Sequence, residues 1–191
     1  MDQPFRILGI CGSLRRASYN HGLLRAAQAL APEGVTVEIA TLHDIPLYNA
    51  DVDAAGAPTA VQAFKARIRA ADALLIATPE YNYSIPGVLK NAIDWASRPP
   101  AETPLRHKPI ALIGASSGQF GTVRAQLALR QVFVFTESYV MPKPELLVPA
   151  AAGKFDTDGN LLDEEVRERL RGVLGELVLW ARRLGGRPVL T

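Results

Sequence analysis

The chain has 191 residues, 48% hydrophobic and 21% charged, which suits one domain over 1–191 with a sizeable core and is too apolar for wholesale disorder. Its net charge of +2 is small and scattered, with no basic block, so no nucleic-acid partner is expected. A single cysteine, Cys11, excludes an internal disulfide and a cysteine-based zinc site, and His21, His43 and His107 share no metal-ligand spacing, so no metal is expected.

Residues 5–11 read as a first strand, short and mostly apolar, followed by a polar loop over 12–20. A helix is predicted over 21–31, with Leu23, Leu24, Ala27 and Leu30 on its inner face, stopped by Pro32-Glu33-Gly34. Residues 35–40 alternate as a second strand, and 41–58 form a loop long for an α/β connection. A helix over 59–71, a third strand over 72–78 and a helix over 88–97, closed by Pro99-Pro100, come next. Residues 109–114 read as a fourth strand, 115–121 as its loop and 122–135 as a helix. Two short extended pieces, 139–141 and 146–148, lie around Pro142 and Pro144. Residues 155–162 suggest a hairpin turning at Asp158-Gly159-Asn160; as a calcium loop, its glycine falls two positions early. An amphipathic helix over 163–184 ends at Gly185-Gly186. No charged leader precedes a short apolar run and no apolar stretch approaches about 20 residues, so a soluble, reduced, cytoplasmic protein without a membrane partner is expected.

Strand and helix alternate with no internal repeat, which implies an α/β fold: a parallel sheet with helices on both faces and right-handed crossovers. Among five-stranded versions the flavodoxin-like order 2-1-3-4-5 is favoured, and its reversal point lies between strands one and three. The loops after strands one, three and four are the three with unusual composition, and this topology brings all of them to one rim.

The first loop offers Ser13, Arg15, Ser18 and Asn20 between a strand end and a helix start, where a phosphate would meet free amides and the positive end of the helix dipole. It matches neither the dinucleotide fingerprint nor the triphosphate loop, so a monophosphate is the better fit. Equally, Ser18 and Asn20 are residue types that cap helices, with Arg15 solvated. In the loop over 79–87, backbone amides and two tyrosines suit a planar ligand, while Glu80 and Tyr81 also serve as ordinary turn residues and Tyr83 as a core aromatic. Ser116-Ser117-Gly118 is a weaker signal, since hydroxyls and glycine are common in such turns. Cys11 ends a buried strand as a small apolar filler. Glu80 as a general base lacks a second catalytic group nearby, and no nucleophile triad is suggested by spacing.

Gly12-Ser13-Leu14-Arg15-Arg16-Ala17-Ser18-Tyr19-Asn20, Pro79-Glu80-Tyr81-Asn82-Tyr83-Ser84-Ile85-Pro86-Gly87 and Leu89-Lys90-Asn91-Ala92-Ile93-Asp94-Trp95 resemble the NADPH-dependent FMN reductase family, in its branch of bacterial quinone and chromate reductases. The resemblance runs from about residue 5 to 184. It implies a flavodoxin-like fold holding FMN, with NADPH or NADH as co-substrate and a quinone-like or other small molecule as electron acceptor. By motif, Ser13, Arg15, Ser18, Tyr19 and Asn20 would surround the FMN phosphate. Pro79, Glu80, Tyr81 and Asn82 would line the isoalloxazine, largely through backbone groups, with Tyr83 at its edge and Ser116, Ser117 and Gly118 on the far side. No catalytic side chain is expected, because the flavin carries the chemistry. Relatives of this kind are built as dimers or tetramers with a network of two tyrosines, an arginine and a glutamate. Tyr83, Arg124 and Glu145 match it, and Leu127 stands in place of the second tyrosine.

Two alternatives remain within the resemblance: a reductase that releases reduced FMN, and a flavodoxin-type electron carrier without turnover. Carriers of that type have a Ser/Thr-only phosphate loop and an acidic surface, whereas this chain has Arg15 and a pI near 8.8. A homo-oligomer is also suggested by the helices themselves. Over 88–97, apolar residues fall nearly all round the helix, and Val123, Leu127, Val132, Val134 and Phe135 give the next helix a broad stripe, leaving a face for a partner copy unless the helices are unusually buried in a monomer.

Overall fold

Unbroken apolar runs mark strands buried on both faces, and three of them form the centre of the sheet. The structure, a computed structural model, describes residues 4–185. In chain order the elements are β1 (Phe5–Cys11), α1 (Tyr19–Ala29), β2 (Val35–Ala40), α2 (Ala50–Ala55), α3 (Thr59–Ala70), β3 (Ala73–Ala77), α4 (Gly87–Ala96), β4 (Pro109–Ala115), α5 (Val123–Phe135), β5 (Tyr139–Val140), β6 (Leu146–Val148) and α6 (Glu164–Gly185). Gly186, expected with Gly185 to stop the last helix, lies outside the described residues. Among the described residues, no helix is long and apolar enough to cross a membrane.

The strands pair in parallel in the order β2-β1-β3-β4-β5, the flavodoxin-like order expected. The sheet has six strands rather than five, because the fifth position is filled by two pieces. β5 pairs with the start of β4, at Pro109 and Ile110, and β6 with its end, at Ile113 to Ala115. Pro142 and Pro144 fall between them and have no N–H to give β4, so one continuous strand is interrupted there.

Two apolar layers cover the sheet. On one side Leu23, Leu24 and Ala27 of α1 pack with Leu170, Leu174 and Leu177 of α6. On the other lie Phe64 and Ile68 of α3, Leu89, Ala92 and Ile93 of α4, and Leu129 and Phe133 of α5. β1 serves both, with Ile7 and Cys11 in the first layer and Leu8 and Ile10 in the second, as strand alternation requires. Each buried leucine or isoleucine contributes roughly 1.5–3 kcal/mol, so these layers dominate the stabilisation.

The long segment after β2 is not an open loop. It contains the short helix α2, capped by the Asn49 side chain on Asp51 N–H at 2.8 Å. Ahead of that helix, Pro46 and Tyr48 lie on α4: the Trp95 indole N–H and the Asn91 amide both donate to Pro46 O at 2.8 Å, and Tyr48 N–H donates to Asn91 Oδ1 at 2.8 Å. The Tyr48 ring meets Trp95 edge-on at 4.9 Å. Trp95 is therefore fully buried by its own chain. The second apolar side of this helix, expected to face a partner copy, is covered from within.

Candidate functional site

Loops that follow parallel strands open at the carboxyl edge of the sheet, where dipoles and free amides are available to a ligand. The three unusual loops meet there around one cavity of about 530 Å³, inside the roughly 300–1,000 Å³ range of small-molecule sites. Ser13, Arg15, Ser18, Tyr19 and Asn20 line it from the β1–α1 loop, Pro79, Glu80 and Tyr81 from the β3–α4 loop, and Ser116, Ser117 and Gly118 from the β4–α5 loop. Asn82 and Tyr83 stand outside the lining, and Phe120, Gly121 and Arg124 join it unforeseen.

The β1–α1 loop is an anion cradle by its donors. Ser18 is the N-cap residue of α1 yet makes no side-chain cap bond, so the first amides of the helix are left for a ligand. Its hydroxyl lies beside the Cys11 thiol. Burial pushes the Cys11 thiol above its usual value, and the Ser13 amide and Ser18 hydroxyl only partly offset this, so Cys11 is an inert filler rather than a nucleophile. Arg15 brings its guanidinium carbon to 5.2 Å from the Tyr19 ring centre, whereas Arg16 takes no part in the lining.

Asn20 has a different task. Its side-chain N–H donates to Ala115 O and its Oδ1 accepts from Ala115 N–H, each at 2.9 Å and buried. It fastens the end of β4 to the start of α1, holding two cavity walls at a set spacing. Behind it, α1 meets the turn over 156–160 so closely that a Cβ on Gly22 would come within 1.9 Å of Gly159 O. That turn resembles a calcium loop only in sequence. Asp156 Oδ1 accepts from the Asp158 and Asn160 amides, and the Arg25 guanidinium takes Asn160 Oδ1 at 3.2 Å and Asp158 O at 3.1 Å.

The β3–α4 loop folds as a two-residue hairpin. Tyr81 and Ser84 exchange backbone hydrogen bonds at 3.2 and 3.0 Å, and Asn82 and Tyr83 both take positive φ, 49° and 66°. This is the type I′ geometry that a tight hairpin favours, although an aromatic side chain seldom adopts it. Tyr81 and Tyr83 are exposed, so Tyr83 is not a core aromatic. Glu80 points the other way, to α5. Its Oε2 accepts from the Arg124 and Ala125 amides at 2.8 and 3.2 Å, and its Oε1 from Arg124 Nη1 at 2.7 Å. Desolvation works against the charge, but the Arg124 hydrogen bond and the two amides outweigh it and hold the carboxyl below its ordinary value.

Arg124 places its guanidinium carbon 3.8 Å from the Tyr83 ring centre and 4.5 Å from that of Phe120. Glu145 lies elsewhere in the chain's own pairing, with Lys143 at 2.7 Å and Arg130 at 3.8 Å. Of the network implied by resemblance, Tyr83 and Arg124 are therefore together within the chain and Glu145 is engaged separately.

The β4–α5 loop is tied from behind by the segment after β6. Ser116 N–H donates to Val148 O, Ala151 N–H to Ser116 O and Ala150 N–H to Gly118 O, at 3.0–3.1 Å. Among the described residues the Ser117 and Gly118 amides have no acceptor, and both residues line the cavity. The cavity thus offers an anion cradle at α1 and, between the other two loops, donors along a cleft edged by Tyr81 and Phe120. Among the described residues no group of three or more histidine, cysteine or carboxylate side chains is placed to hold a metal.

Comparison with known proteins agrees with this geometry. The family described as NADPH-dependent FMN reductase matches residues 5–153. An NAD(P)H-dependent FMN reductase of Pseudomonas aeruginosa, PA1204, is 54% identical over 186 residues, covering 97% of this chain and all of that one. A probable NADPH:quinone oxidoreductase of Oryza sativa is 47% identical, covering 94% and 93% of the two chains. Among solved structures, FerB, a flavoenzyme NAD(P)H:(acceptor) oxidoreductase from Paracoccus denitrificans, superposes with a TM-score of 0.83 at 38% identity, covering 94% of this chain and 98% of its own.

Proposed function

The chain belongs to the NADPH-dependent FMN reductase family, and from that premise we propose that its cavity holds FMN and passes two electrons from reduced nicotinamide to a small quinone-like acceptor. It is a flavin oxidoreductase that uses NAD(P)H. Bound in this cavity, FMN would supply the two-electron redox chemistry that links reduced nicotinamide to the acceptor.

The residues fit the cofactor. The single observation that carries the assignment is the uncapped start of α1, where Ser18 leaves the helix amides free beside Ser13 and Arg15 in a cavity of ligand size. These groups would hold the phosphate: the helix end offers N–H donors with a favourable dipole, and Arg15 a charged fork. Tyr19 would support Arg15 from beneath. Asn20, fully engaged with Ala115, would act by spacing the two walls rather than by touching phosphate. Pro79, Glu80 and Tyr81 would meet the ring through backbone, since the Glu80 carboxylate is committed to α5, and Asn82 and Tyr83 would stand at the edge. The spare amides of Ser117 and Gly118, with the Ser116 and Ser117 hydroxyls, would close the far side.

Glu80 is held ionised by Arg124, and burial raises the pKa of the Cys11 thiol, so neither is set up as an acid–base group for the ring. What the chain supplies is orientation, charge balance and an open ring face for nicotinamide and acceptor in turn. The name of the rice relative supports a quinone-like acceptor, and that of the Paracoccus relative supports turnover with a separate acceptor rather than an electron carrier without turnover. We also infer a homo-oligomer formed through α5, whose Leu127, Val134 and Phe135 are 58%, 77% and 74% exposed. Dependence on reduced nicotinamide, a cytoplasmic metabolite, supports placement in the cytoplasm.

A visible absorption spectrum of the purified protein, repeated after anaerobic addition of NADPH, tests the assignment. The expected result is a flavin spectrum, present as isolated or after adding FMN, that bleaches with NADPH and returns with a quinone. Protein that takes up no FMN, or whose flavin is not reduced, overturns it.

A further inference from the structure

A carboxylate joins two of the loops that build the cavity. Glu80 leaves the β3–α4 hairpin and bonds residues 44 and 45 positions later, the first turn of α5. Thr122, the N-cap residue of α5, makes no side-chain cap bond, and its hydroxyl instead accepts from the Gln126 amide at 3.0 Å. The free amides of Arg124 and Ala125 are satisfied by Glu80, a cap supplied from another element. With side-chain exposures of 10% for Glu80 and 27% for Arg124, the pair is sheltered enough to be worth more than a surface ion pair.

Arg124 extends the connection back to where Glu80 started. Its guanidinium lies against the Tyr83 ring, on the hairpin, and the Phe120 ring, on the β4–α5 loop. Tyr83 sits at φ 66°, a backbone state that persists in an aromatic residue only when its surroundings hold it. Glu80 and Arg124 therefore clamp the hairpin at both ends of its turn.

We propose that Glu80 is a positioning residue for the flavin reaction: through Arg124 it latches the hairpin over 81–84 to α5 and so fixes the aromatic mouth formed by Tyr81, Tyr83 and Phe120 before the cofactor arrives. This rests on the flavin reading of the cavity. Preorganisation of this kind improves binding by removing the ordering that the ligand would otherwise impose. The latch joins loops from different strands, so a ligand that orders one orders the other.

The latch requires a charged Glu80. The charged group facing it is Arg124, and Arg15 lines the same cavity. Because the native carboxyl is held below its ordinary value, the latch contributes fully above the usual carboxylate range and is lost as pH falls through the lowered value.

Two variants and one exchange measurement test this. Glu80→Gln keeps the shape and removes the charge; Arg124→Lys keeps a charge and removes the planar fork. Flavin-free full-length protein is titrated with FMN by fluorescence quenching across pH, with melting temperature recorded for each variant. Glu80→Gln is expected to weaken FMN binding by roughly tenfold, the scale of a lost charge-assisted hydrogen bond in a ligand-ordering loop. It should also remove the part of the acid fall in FMN affinity that the parent is expected to owe to Glu80. Protection of the Arg124 and Ala125 amides, measured relative to the unprotected exchange rate at each pH, should fall in Glu80→Gln, and in the parent on acidification, which needs no variant to fold. A glutamate with only a structural role would lower the melting temperature and leave FMN affinity and its pH profile unchanged, and that result overturns the proposal. So does unaltered protection of the two amides. If the parent itself fails to bind FMN, the flavin reading falls, while the exchange measurement still decides whether the latch exists.

Discussion

Asn20 and Arg15 stand five residues apart in one loop and do opposite work. Asn20 gives both its polar atoms to Ala115, so Asn20→Ala would leave a buried N–H and a buried C=O without partners. That should cost about 2–4 kcal/mol, read as a lower urea midpoint with an unchanged slope, and FMN affinity should fall as the walls separate. Wild-type stability in Asn20→Ala would show the clamp to be idle. Arg15 lines the cavity and its neighbour Arg16 does not. Arg15→Ala should therefore weaken FMN by about tenfold, the loss of one charge-assisted contact to phosphate, while Arg16→Ala stays within about twofold of the parent. Equal losses in isothermal titration would mean that the loop acts by general charge rather than by a placed fork. Residue type and loop position pointed to both Arg15 and Asn20 as cavity residues. What Asn20 bonds was not legible, because its partner lies 95 positions away and leaves no local pattern.

At the scale of elements, periodicity was informative where one face of an element decides its burial. β1, β3 and β4 are near-continuous apolar runs because both faces are covered, and their order followed from alternation with helices. α4 shows where that signal becomes ambiguous. Its apolar residues surround the helix, a pattern that a partner copy and a covering loop produce equally well, and here Pro46 and Tyr48 provide the cover. The short α2 was likewise invisible to pattern, being set by capping, whereas the two extended pieces around Pro142 and Pro144 were legible and only their shared pairing with β4 was not. The covering segment makes a prediction of its own. Asn91→Ala removes the bonds to Tyr48 N–H and Pro46 O at once. The Tyr48 amide should then lose protection from hydrogen exchange and the segment should be cleaved faster by protease, with stability down by about 1–2 kcal/mol. Unchanged protection would mean that Trp95 alone anchors the segment.

For the whole molecule, what remains unexplained by internal packing is the outer face of α5. Leu127, Val134 and Phe135 fall at spacings of seven and eight residues, on one side of the helix, and are more than half exposed. Phe120, 60% exposed, stands just ahead of α5 at the mouth of the cavity. Exposed apolar side chains gathered on one side of a helix mark an interface. A second copy is the occupant that requires no other component, and a two-fold arrangement would set α5 against its own equivalent. The parent should therefore sediment as a dimer or larger assembly at micromolar concentration. Leu127→Lys combined with Val134→Lys should give a monomer, because two like charges would face two more across the two-fold axis. Both positions are exposed within one copy, so the melting temperature of the isolated fold should change little beyond the loss of association itself. Because α5 carries Arg124 into the cavity, the monomeric variant should also release FMN faster. A parent that is monomeric at micromolar concentration, or a double variant that remains associated, would assign this face to something other than a copy of the chain.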